Sequence, residues 1–102
     1  MSDIKVVTIC GSMKFKKEMM QIAEELELKN GYAVIQCVYG NECNNYDKSD
    51  IDKLGKIHFK KIDISDAIYV VNVNGYVGDA TNKEIEYAKS LKKEILSLEP
   101  LD

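Results

Sequence analysis

Between Asp66 and Asn72 the chain reads Ala-Ile-Tyr-Val-Val, five residues with no charged or amide side chain among them. A run this short, β-branched and aromatic reads as a strand with apolar side chains on both faces. Such a strand is stable only inside a sheet covered on both sides, so helices must pack above and below it. The run stops at Asn72, and residues 73–80 read as a loop carrying Gly75 and Gly78. Thr81-Asn82-Lys83-Glu84 then opens a predicted helix continuing through Tyr87 and Leu91. A buried strand, a glycine loop and a helix N-terminus in that order form the crevice where α/β sheets hold ligands.

The rest of the chain alternates in the same way. Residues 4–10 (Ile-Lys-Val-Val-Thr-Ile-Cys) predict a first strand broken by Gly11-Ser12, with Ser12 as N-cap. Phe15, Met19, Ile22, Ala23 and Leu26 recur at helical spacing and predict a helix over about residues 14–29. Asn30-Gly31 is a stop signal, since glycine takes the left-handed conformation that ends helices. Residues 32–39 predict the second strand, and residues 40–50, rich in Asn, Asp and Gly, an exposed loop. Ile51, Leu54, His58 and Ile62 mark a second helix, and residues 94–98 the last strand before Pro100.

Strand–helix alternation without repeats or linkers predicts one α/β domain over residues 1–102: a doubly wound, three-layer, Rossmann- or flavodoxin-like fold. Four parallel strands in the order 2-1-3-4, joined by right-handed crossovers, follow most simply. The switch point then lies between strands one and three, bringing Gly11-Ser12 and residues 72–81 to one edge. A chain of 102 residues can bury roughly 65% of its unfolded surface in a single core.

Charge and cysteine usage narrow the partners. The net charge is -3, which disfavours binding to nucleic acid polymers. All 14 basic residues are lysine, so no guanidinium is present for bidentate recognition of phosphate or carboxylate. The start lacks a signal-peptide pattern and no apolar run is long enough to span a bilayer, so a cytoplasmic protein without membrane contact is expected. Cys10, Cys37 and Cys43 are odd in number and lack CxxC spacing, which reads as reduced thiols.

Three groups of residues carry candidate chemistry. Thr81-x-x-Glu84 is the pattern of a capping box, in which Thr81 caps the helix and Glu84 reaches back to its backbone. Yet Glu84, Tyr87, Ala88 and Leu91 share one helix face, so Glu84 also heads a row directed inward, where a carboxylate is either satisfied or kept for chemistry. His58, the only histidine, shares a face with Leu54 and Ile62 and reads either as a core imidazole or as a site residue. With no second histidine or cysteine pair at ligand spacing, no metal site is expected. Gly11-Ser12-Met13-Lys14, followed by Lys16 and Lys17, reads as an ordinary strand-to-helix turn or as a phosphate-facing loop; it is neither GxGxxG nor a P-loop.

Residues 9–12 (Ile-Cys-Gly-Ser), 57–66 and 74–88 together resemble the nucleoside 2-deoxyribosyltransferase superfamily, which includes 2'-deoxynucleoside 5'-monophosphate N-hydrolases. The resemblance runs through most of the chain in order. It implies that Glu84 is the nucleophile at C1' of the sugar and that the first turn faces sugar or phosphate. The substrate-facing set it suggests is Gly11, Ser12, Lys14 and Phe15, with Asn72, Gly75, Tyr76, Gly78 and Thr81. Phe15 and Tyr76 are candidates to stack on the base, though either can equally fill the core. The family's usual aspartate eight residues before Asp66 is replaced by His58, which on this reading protonates or orients the departing base. Gly78 stands where transferases carry aspartate and hydrolases serine.

The resemblance also implies a homodimer, a nucleoside or nucleotide substrate, no cofactor, and an N-glycosidase or transferase reaction. A non-catalytic nucleotide-binding module on the same fold is the alternative. Cleavage of the nicotinamide–ribose bond of NAD by the same glutamate is a third reading, with no dinucleotide-specific residue behind it.

Overall fold

The computed structural model describes residues 3–40 and 45–101. Cys43, the middle of the expected 40–50 loop and the first two residues lie outside the described residues. The elements are β1 (Val6–Gly11), a short 3-10 turn (Met13–Phe15), α1 (Lys16–Asn30), β2 (Ala33–Ile35), α2 (Lys48–Asp63), β3 (Ala67–Val71), a second 3-10 turn (Val73–Gly75), α3 (Asp79–Ser90) and β4 (Glu94–Ser97). The four strands form one sheet in the order β2-β1-β3-β4, and all three pairings are parallel. The α/β class, the parallel sheet and the strand order are as the sequence predicts.

Alternation along β1 and β3 divides the core between two faces. Ile9 and Val71 pack with Phe15, Met19 and Ala23 on the α1 side. Cys10, Ile68 and Val70 pack with Ile62, Ile85 and Ala88 on the side of α2 and α3. The sheet is therefore wound on both faces, and successive residues of each central strand face different helices. Asp66 locks the start of the β1–β3 ladder, its carboxylate accepting from the Val6 N–H at 2.8 Å while its own N–H donates to the Val6 carbonyl.

Three boundaries differ from expectation. β2 ends at Ile35, four residues early, because β1 pairs with it only at residues 33–35 and no strand among the described residues lies on its outer side. Ser12 caps the 3-10 turn that precedes α1, accepting from the Lys14 N–H, while Gly31 ends α1 at φ 71° as predicted. The third helix starts two residues before Thr81: Gly78 is its N-cap in extended backbone, and Asp79 places a carboxylate in its first turn. Thr81 is consequently buried inside the helix and the expected capping box does not form. Leu91, expected on the inward row, is the C-cap and is exposed; the buried row is Thr81, Ile85 and Ala88.

Candidate functional site

Parallel strands leave their carboxyl ends open at one edge, and the two turns after β1 and β3 meet there. Lys14 Nζ lies 3.3 Å from the centroid of the Tyr76 ring, and Phe15 meets Tyr76 edge-to-face at 5.9 Å. The expected convergence of the Gly11-Ser12 turn with the 72–81 loop is therefore present. The cleft itself opens to one side of it, between β1, the segment after β2, and α2.

The cleft encloses about 420 Å³, within the range typical of small-molecule sites. Its apolar walls include Tyr39, Tyr46, Ile51 and Leu54, and Gly11, His58 and Glu84 also line it. Three elements deliver three chemically distinct groups there: Cys10 from β1, His58 from α2 and Glu84 from α3. His58 Nε2 lies 3.5 Å from Cys10 Sγ and 3.7 Å from Glu84 Oε1. One donor atom from each residue falls within 4.8 Å of the others, a spacing that also suits a metal ion. His58 and Cys10 are buried, and the Glu84 side chain is 18% exposed.

Burial governs the protonation of all three. Desolvation pushes Glu84 up to about 7, opposed by a hydrogen bond from Cys10. Desolvation, with the Lys61 charge nearby, pushes His58 down to about 4. Burial also holds the Cys10 thiol well above its usual range, with the Glu84 carboxylate acting in the same direction. The imidazole and carboxyl are close enough for an ion pair, but each is displaced away from its charged form. At neutral pH a neutral imidazole faces a carboxyl that is about half ionised. His58 Nδ1 is buried and has no hydrogen-bond partner among the described residues.

The other expected site residues lie elsewhere. Phe15 belongs to the core on the α1 side. Ser12 caps its own turn, and Lys14 is stacked over Tyr76. Asn72 is fully buried, with its amide nitrogen donating to the Glu99 carbonyl and its amide oxygen accepting from the Glu99 N–H, both at 2.9 Å. Gly75 has φ 78° in the second 3-10 turn, Gly78 caps α3, and Thr81 is interior. Of the eleven residues expected at the site, Gly11, His58 and Glu84 line the cleft.

Sequence reasoning did not place Cys10, Tyr39 or Tyr46 in the cleft. Cys10 carried one usable signal, its position directly before Gly11 at the end of a central strand. Tyr39 and Tyr46 bracket a polar segment whose path no periodicity describes. No family model matches the chain, and no curated protein matches it.

Proposed function

We propose that this protein cleaves or transfers at the N-glycosidic bond of a nucleoside or nucleoside 5'-monophosphate, with Glu84 as the nucleophile. The observation that carries the proposal is the position of Glu84. Its carboxyl stands in a cleft at the ligand edge of the sheet and has no helix-capping duty, because Gly78 fills that place. Resemblance of the sequence to the deoxyribosyltransferase superfamily points to the same residue.

Attack by the ionised Glu84 at C1' gives a glycosyl ester and releases the base; water or a second base then displaces the ester. Burial makes the carboxylate easy to strip of water but leaves about half of it protonated near pH 7. His58, neutral at that pH, serves to orient the departing base through Nε2 or Nδ1 and is a weak proton donor there. Tyr39, Tyr46 and Leu54 supply flat apolar surface for a planar heterocycle.

Glu84 is also the only carboxylate lining the cleft among the described residues. Glycosidases ordinarily use two, so this feature favours a second reading, a nucleotide-binding module without turnover. A panel of nucleosides and nucleotides, followed by chromatography for free base, separates the two. Base release that is lost in Glu84→Gln with binding retained supports the enzyme. Binding without release by the unaltered protein supports the module. A mass increment on Glu84 after incubation with a 2-fluoro sugar analogue is the direct sign of the glycosyl ester.

A further inference from the structure

We propose that Cys10, His58 and Glu84 form a three-ligand site for a zinc-class divalent ion, with its fourth position facing the cleft. The donors are a thiolate sulfur, an imidazole nitrogen and a carboxylate oxygen, the set used by zinc in proteins. Zinc bonds of 2.0–2.3 Å at tetrahedral angles put neighbouring donor atoms roughly 3.3–3.6 Å apart. The Sγ to Nε2 and Nε2 to Oε1 separations are 3.5 and 3.7 Å, close to that spacing, and one donor atom from each of the three residues lies within 4.8 Å of the others.

Two further features bear on how an ion would be held. His58 is 7% exposed, and its Nδ1 has no partner among the described residues. Coordination through Nε2 settles which nitrogen carries the hydrogen: it is Nδ1. The second feature is charge. Once binding has removed the thiol and carboxyl protons, thiolate, carboxylate and neutral imidazole sum to two negative charges, which a divalent cation cancels. On binding, the Cys10 thiol and the protonated fraction of Glu84 give up their protons to solvent and sulfur–metal, nitrogen–metal and oxygen–metal bonds form, with no change of oxidation state. Cys10 comes from β1, Glu84 from the middle of α3 and His58 from α2, so three separate elements close on the ion.

This goes beyond the glycosidase proposal and does not depend on it. If both hold, the ion competes for the Glu84 carboxylate, and zinc inhibits base release.

Cobalt(II) is the probe, because it enters zinc sites and reports its ligands by absorption. Titrating the chelator-treated full chain should give one equivalent of binding, the visible bands of a tetrahedral ion and a thiolate-to-cobalt charge-transfer band in the near ultraviolet. Cys10→Ser should abolish the charge-transfer band. His58→Ala should weaken cobalt binding by at least about 10-fold, the loss that even outer-shell partners produce. Cys37→Ser should leave both unchanged, which separates Cys10 from the other described thiol. If Cys10→Ser unfolds, as judged by circular dichroism, Glu84→Gln replaces it as the variant, with the same expected weakening. Absence of the thiolate band in the unaltered protein, or a band that survives Cys10→Ser, overturns the site. Base release by a protein that shows no cobalt–thiolate band would sink the ion site and spare the glycosidase. The band without base release would do the reverse.

Discussion

Glu84 and His58 respond to the same burial in opposite directions, and their effects on stability nearly cancel. The Glu84 pKa is about 7 in the folded protein against 4.5 for an ordinary glutamate. The folded state therefore holds this proton more tightly, and the stability it lends below pH 4.5 is lost as pH rises through 7. His58 stands at about 4 against 6.5, so its contribution is complete above pH 6.5 and is lost as pH falls through 4. Each shift corresponds to about 3 kcal/mol at most. With chelator present, Glu84→Gln should make stability rise more steeply with pH than in the unaltered protein between about pH 4.5 and 7. His58→Gln should make it fall relative to the unaltered protein between about pH 4 and 6.5. Urea midpoints across that range measure both, and parallel profiles for all three proteins would refute the opposed titration. The same Glu84→Gln protein should release no base, and the loss should fall in kcat, not KM.

Element ends decide which side chains are spent on architecture. Asn72 ends the buried run of β3 and holds the backbone of Glu99 with both amide atoms. Asn72→Ala should cost about 1–3 kcal/mol by stranding those two groups, with KM for an active substrate unchanged. A raised KM at undiminished stability would instead return Asn72 to the substrate-facing set. Gly11 closes β1 where a Cβ would stand 2.9 Å from Met19 Sδ and 3.2 Å from the Val71 carbonyl oxygen. The thioether can swing aside but the carbonyl is held in the sheet, so Gly11→Ala should lower stability by about 1–3 kcal/mol in a denaturant titration.

What the sequence made legible follows the same division. The β3 run and the α1 stripe were readable because their patterns are local and their burial is nearly complete. The Thr81-x-x-Glu84 pattern misled because a capping box also needs the helix to begin at Thr81, and Gly78-Asp79 began it earlier. The Cys10–His58–Glu84 cluster was not readable as a unit. Its members are 48 and 26 positions apart, and only the fold brings them within bonding range.

At the scale of the molecule, no helix among the described residues is long and apolar enough to cross a membrane. Ile51 and Ile57, 59% and 43% exposed, stand on α2 where it borders the cleft, and the sequence resemblance implies a second copy of the chain. A homodimer is the expected state on sedimentation, and an active species that stays monomeric at working concentration would exclude it.

The sheet order has a consequence for how this protein is made. β1 is synthesised before the other strands, yet it lies between β2 and β3, and its long pairing is with β3. On a translating ribosome it must wait, with one edge unpaired, until residue 71 has emerged. Glu84 arrives later still, on α3, the helix that brings it to the cleft. A nascent chain halted before α3 would therefore carry the centre of its sheet without Glu84, so the Cys10–His58–Glu84 cluster is completed only after the sheet's centre has been made.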